Sequence, residues 1–261
     1  MSNETYTRSA EQIASDEKFI EHERHSGEVR YIQRHSLQAR ITHGIFSISC
    51  ILLVISGLFV FIPPLAAAIG GDAVYVIRMC HRVIGCIFIL APIVSAIMAP
   101  KGAAHVAKSM LAKWDSDDKK WMILFFPYLF LAKWIHMPDQ SEEKSGQRFA
   151  DGMLILLGFV MAVTGVVLIL ETGPLDLGHG FHGVMLFIHD IGFFGICIFG
   201  MAHIFLGAGI FQPYRRTANL MFGNGRVSES DAMYHWAHWA RKELTEGTNV
   251  VVEKADPYKQ D

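Results

Sequence analysis

Charge is scarce in this 261-residue chain, and neither sign prevails. Lys and Arg number 23, Asp and Glu 25, together 18% of the residues, against roughly 25% in an ordinary soluble domain. The near-balance excludes a nucleic-acid binder that works through a basic surface. Cysteine is also sparse. Cys50, Cys80, Cys86 and Cys197 form no CxxC and lie in apolar runs, which argues against a disulfide framework, a zinc site and an iron–sulfur cluster. Apolar residues make up 51% of the chain and mean hydropathy is +0.29, so it is not a disordered chain. What is plentiful is histidine, with 13 residues.

The apolar residues are gathered into long runs. A bilayer crossing needs about 20 of them. Four stretches qualify: Ile41 to Ile62, Val76 to Ala99, Ala150 to Leu170, and His182 to Phe211. Pro63-Pro64, Pro100 and Pro213 follow the first, second and fourth, and Pro92 predicts a kink inside the second. A fifth run, Trp121 to Ile135, is short and carries Trp, Tyr and Lys. It reads as an interfacial helix, with a folded loop as the alternative. Residues 1–40 contain no cleavable signal pattern, so the first span is expected to act as its own insertion signal. The fold class that follows is an all-α membrane protein, a four-helix bundle with an interfacial helix in its long loop.

Orientation follows from Lys and Arg. Residues 1–40 hold six, 100–149 eight, and the segment after 211 seven, whereas 63–75 and 171–181 hold none. The positive-inside rule then places both termini and the long middle loop in the cytoplasm. Three regions result: a polar arm over 1–38, a membrane domain over 39–212 and a tail over 213–261. Residues 1–34 and 245–261 read as surface arms or partner-binding tails.

Four histidines fall inside the spans: His43, His81, His189 and His203. An ionisable side chain in a membrane is a functional hypothesis by default, with helix-to-helix hydrogen bonding as the bland alternative. His189 and His203 are 14 residues apart on one helix. That spacing returns to within about 40° of the same face and advances about 21 Å. Topology places His43 and His203 in the inner leaflet, His81 and His189 in the outer one. Matching depths gives two pairs, each able to clamp a flat macrocycle. Neutral imidazole is a standard axial ligand, so bis-histidine ligation of two haem b groups is the natural reading. No CxxCH is present for covalent attachment.

Arg40 and Arg78 each precede a span histidine by three residues and share its helix face. Both suit haem propionates, since Arg pairs bidentately with carboxylates. Arg82 is an equal candidate beside Arg78, and a snorkelling role suits Arg40. Gly57, Gly85, Gly158, Gly165, Gly192, Gly195 and Gly200 would let helices approach and leave room for a macrocycle. His182 shares the face of His189 and is the runner-up ligand; His179 stands nearby. His22, His25, His35, His105 and His136 read as solvated. The run from His235 to Trp239 reads as an amphipathic tail helix on the membrane surface.

Several short motifs run in a telling order: Arg40-Ile-Thr-His43, Ile55-Ser56-Gly57, Arg78-Met-Cys-His81, Ser145-Gly146-Gln147-Arg148, Val163-Thr164-Gly165-Val166, the His189/His203 pair, and Gly225-Arg226-Val227-Ser228. Over residues 38–243 the chain resembles the cytochrome b (gamma) subunit of membrane-bound formate dehydrogenases, relatives of the cytochrome b subunits of nickel–iron hydrogenases and thiosulfate reductases. The resemblance implies four helices, two b haems, and a menaquinone or ubiquinone site beside the inner haem, at His203 with the Ser145, Gly146 and Gln147 turn. The family usually carries Asn just before Gly-Gln there, and this chain has Lys144-Ser145. The implied partners are an iron–sulfur subunit with a membrane anchor and a molybdenum or tungsten catalytic subunit. The chain itself would perform no formate chemistry. Rival readings are a hydrogenase or thiosulfate/polysulfide reductase cytochrome b, a stand-alone diheme reductase, and a haem-free transporter or anchor.

Overall fold

The computed structural model of the chain describes residues 27–131, 134–135, 137–172, 177–209 and 217–254. His22, His25 and His136, most of the polar arm and the last residues of the tail lie outside the described residues. The chain divides into two compact units. One comprises Gln38–Ala107 and Ala150–Leu206. The other comprises Met1–Leu37, Lys108–Phe149 and Gly207–Asp261.

The first unit is built on the four apolar runs. They form α1 (Leu37–Phe61), α3 (Gly71–Met98), α6 (Ser145–Glu171) and α7 (His179–Gly207). Leu37 of α1, residues 145–149 of α6 and Gly207 of α7 fall in the other unit. Each helix is long and apolar enough to cross a membrane, and only 6% to 11% of each apolar window is buried inside the chain. A soluble bundle would hide these faces. Here Ile48, Val83, Phe159 and Ile198 point outward, as lipid-facing positions require. The helix α3 runs through Pro92 without ending. Between α1 and α3 the loop contains a short helix, α2 (Pro63–Ile69), whose prolines sit where a first turn has no use for an N–H. The helix α4 (Pro100–Leu111) follows α3.

Close approach inside this unit depends on small residues. A Cβ at Gly192 would stand 2.6 Å from Met161 Sδ, and one at Gly195 2.9 Å from Leu157 Cδ1. A larger residue at either position would require those α6 side chains to move. Gly158 faces Phe46 and Phe88, whose rings stack at 4.1 Å. Gly85 and Gly200 meet nothing within 4 Å, so the expected packing role does not extend to them.

The second unit is where the structure departs from the sequence reading. Residues from both segments expected as polar arms, together with 226–228 of the tail, form a three-stranded antiparallel sheet of order β2-β1-β3. Its strands are β1 (Glu28–Gln33), β2 (Arg226–Ser228) and β3 (Val250–Lys254). Tyr31 pairs with Ser228 on one side and Val251 on the other. The helices α8 (Ala218–Phe222), α9 (Glu229–His235) and α10 (Ala237–Glu246) complete it. Ser228 caps α9 by accepting from Asp231 N–H, and Gly247 ends α10 in the left-handed region at φ 69°.

Its core gathers Ile32, Leu220, Val227, Ala232, Met233, Trp236, Trp239 and Ala240. The His235 to Trp239 run is therefore not a surface-docking helix. His235 and Trp236 are buried, and the run is broken at Trp236, where α9 ends and α10 begins. Burying two indoles against a sheet removes more apolar surface from water than one amphipathic face would. The helix α5 (Ser116–Leu131) covers most of the fifth apolar run. Ile123, Phe126 and Phe130 share one exposed face, at 73%, 68% and 85% exposure, as an interfacial helix requires.

Arg30 ties β1 to α9. Its Nε and Nη2 each donate to the Glu229 carboxylate at 2.7 Å, and Glu229 is fully buried. Removing one partner of such a pair strands a buried charge, at about 3–5 kcal/mol. Arg30→Ala is expected to make the 218–254 segment cleavable in limited proteolysis at temperatures where the parent chain resists.

Candidate functional site

The four span histidines come together as two pairs, both within the first unit. The ring centres of His43 and His203 are 6.0 Å apart, and those of His81 and His189 are 6.5 Å apart. One metal atom held between two imidazoles requires two bonds of about 2 Å, plus roughly 1 Å from each ring nitrogen to its ring centre, about 6 Å in all. Both pairs meet that span. Among the described residues, no three His, Cys, Asp or Glu side chains converge as a metal-holding group. A pair of imidazoles facing each other instead suits a metal whose other ligands come from a planar macrocycle.

The rings of His81, His189 and His203 are each held by Nδ1. Ser56 Oγ donates to Leu52 O at 2.6 Å, so it accepts from His81 Nδ1 at 2.7 Å. Thr164 Oγ1 donates to Val160 O at 2.8 Å, so it accepts from His189 Nδ1 at 2.8 Å. This arrangement puts the proton on Nδ1 and leaves Nε2 as the nitrogen able to coordinate. The next residue in each case is glycine. A Cβ at Gly57 would lie 3.7 Å from His81 Cε1, and one at Gly165 3.5 Å from His189 Cε1. The same device, hydroxyl then glycine, thus stands 25 residues before each of these histidines.

The other pair differs. His203 Nδ1 is hydrogen-bonded to a carboxylate, Asp151 Oδ1, from α6. Asp151 is the only acidic residue between Glu143 and Glu171, and that isolation was the signal for it. Ser56 and Thr164 stood in recognisable motifs, but their hydroxyls carried no assigned role.

The remaining candidates are placed as follows. Arg40 is half-buried, Arg78 exposed and Arg82 half-buried. His182 does not join a pair; its Nδ1 lies 2.9 Å from Glu171 Oε2. His35 is half-buried and His105 exposed.

Ser145, Gly146 and Gln147 open α6 in the second unit. Ser145 is fully buried. Its hydroxyl lies 2.7 Å from Asp118 Oδ1 and 2.8 Å from Gln140 Oε1, and its N–H donates to Gln140 Oε1 at 2.9 Å. A Cβ on Gly146 would collide with the Trp121 ring. Gln147 is half-buried. These contacts fasten the turn to α5.

Beside that turn lies a buried basic cluster. Lys144 Nζ donates to His235 Nδ1 at 2.7 Å and lies 4.9 Å from the Trp236 ring centre. The Arg34 guanidinium stacks on Trp236 at 4.3 Å and Trp239 at 4.9 Å, and donates to Glu142 O. Burial pushes the Lys144 ammonium well below its usual 10.5, and the Arg34 charge adds to this. Burial lowers Arg34 also, opposed by Glu143 and Glu142.

A family profile described as prokaryotic cytochrome b561 matches residues 34–224. No curated protein gives a significant match.

The lowered Lys144 pKa sets a pH dependence. The unfolded chain holds this proton up to about pH 10.4, whereas the folded chain releases it earlier. Stability therefore rises with pH between the two values. Lys144→Met is expected to flatten that alkaline rise, read from thermal melting of the purified protein across pH.

Proposed function

The chain belongs to the prokaryotic cytochrome b561 family, a membrane cytochrome b for electron transfer that binds haem b, and we propose that it carries electrons from an external iron–sulfur subunit of formate dehydrogenase to the quinone pool. The observation that carries this reading is the pair of imidazole clamps, 6.0 Å and 6.5 Å between ring centres, on α1 with α7 and on α3 with α7. In this reading His43 and His203 would hold one haem b, and His81 and His189 a second. Haem b, when bound, supplies a one-electron iron couple.

The chain's own residues do the rest. Ser56 and Thr164 hold two imidazoles in the ligating tautomer, and Gly57 and Gly165 keep bulk away from the rings. Arg40 and either Arg78 or Arg82 pair with propionates. With both termini cytoplasmic, as the Lys and Arg distribution supports, the His81–His189 clamp is the outer one and receives electrons. The His43–His203 clamp is the inner one and serves quinone. Resemblance, rather than a contact, assigns the Ser145-Gly146-Gln147 turn to that quinone, menaquinone or ubiquinone. The iron–sulfur partner contributes a membrane anchor, and a molybdenum or tungsten subunit performs the formate chemistry.

The matched family also favours a second reading, a cytochrome b subunit of a nickel–iron hydrogenase. Mass identification of the subunits that co-purify separates the two: a nickel–iron subunit decides for hydrogenase, a molybdenum or tungsten subunit for formate dehydrogenase. The parent complex is expected to hold two b haems per chain by haem extraction. His203→Ala is expected to hold one, to lose quinone reduction, and to keep reduction of artificial dyes by the catalytic partner. Quinone reduction at the parent rate in that variant would refute the assignment.

A further inference from the structure

The two clamps are backed by different chemistry. At His81 and His189 the Nδ1 acceptors are neutral hydroxyls, those of Ser56 and Thr164. At His203 the acceptor is the Asp151 carboxylate. Both Asp151 and His203 are half-buried, with side chains 21% and 28% exposed. A charge-assisted hydrogen bond is roughly twice as strong as a neutral one. It draws the Nδ1 proton toward the carboxylate and makes Nε2 a more basic ligand. A more basic ligand, with a negative charge behind it, favours ferric over ferrous iron.

We propose that Asp151 is a positioning residue that holds the iron at His203 to a more negative midpoint potential than a hydroxyl in its place would, leaving the iron at His81 and His189 unaffected. The proposal rests on the reading of His203 as a haem ligand. Its consequence is directional. The last carrier before the acceptor becomes a stronger reductant, and the step onto quinone gains driving force at the expense of the hop before it. The residue acts through His203 and needs no contact with substrate.

Potentiometric titration of the purified complex, followed through its b-type absorption bands, tests this. In Asp151→Asn the wave that disappears in His203→Ala should move to more positive potential. The expected change in the oxidised-to-reduced ratio is about tenfold, 59 mV for a one-electron couple. The other wave should stay in place, and Asp151→Glu should return the shifted wave toward its original position. Thr164→Val, which removes a neutral acceptor, should move only the other wave. If Asp151→Asn fails to retain that haem, Asp151→Ser, which copies the hydroxyl arrangement, decides in the same way. Unchanged waves in a variant holding two haems overturn the proposal. Loss of the haem from both Asn and Ser variants also overturns it, because Asp151 is then only a structural prop. A parent complex with fewer than two haems would instead count against the proposed function.

Discussion

An imidazole surrounded by hydrocarbon cannot leave its nitrogens without partners, since no water is there to take them. This constraint shapes the whole membrane unit. Satisfying one nitrogen of His81, His189 and His203 calls for a polar side chain on a neighbouring helix at one depth. Ser56 on α1 serves His81 on α3, and Thr164 and Asp151 on α6 serve His189 and His203 on α7. These bonds fix helix rotation as well as ring orientation. The rings then face one another in two pairs. A pair separated by 6.0 or 6.5 Å is too far apart for a direct hydrogen bond of roughly 3 Å between ring nitrogens with ordinary ring geometry, and is spaced for something between.

Glycine complements the hydroxyls. A membrane helix bundle gains little from excluding lipid, so close packing decides which faces meet. Gly192 and Gly195 bring α7 onto α6, while Gly57 and Gly165 stay clear of the imidazoles at Cε1. The pairing of a hydroxyl with the following glycine occurs on α1 and again on α6, facing His81 and His189. One helix turn thus supplies both the hydrogen-bond partner and the space.

The spans and the histidine pairs were legible before any coordinates, for physical reasons. Hydropathy over some 20 residues is a strong signal, and a 14-residue spacing on a helix leaves little freedom in face or depth. What escaped was set by contacts distant in sequence. The isolation of Asp151 in the sequence carries no signal of its role, because its meaning depends on His203, 52 positions on. The strand β1 escaped because its buried residues, Val29 and Ile32, are three apart and do not alternate. Arg30, between them, has its charge answered by Glu229, 199 positions away. The Trp-rich tail was visible as amphipathic, yet periodicity alone does not tell a lipid surface from a sheet as the partner.

In the three-stranded sheet the earliest strand is central, flanked by strands from residues 226–228 and 250–254. During synthesis, residues 28–33 precede the four long apolar helices, and both flanking strands follow those helices. All four bilayer crossings are translated before either flanking strand exists. Closure of this sheet therefore comes after the four long apolar helices have been made, and a nascent chain released before residue 226 leaves both edges of β1 open. Such exposed edges invite foreign pairing, which gives quality-control proteases a means of telling finished chains from unfinished ones.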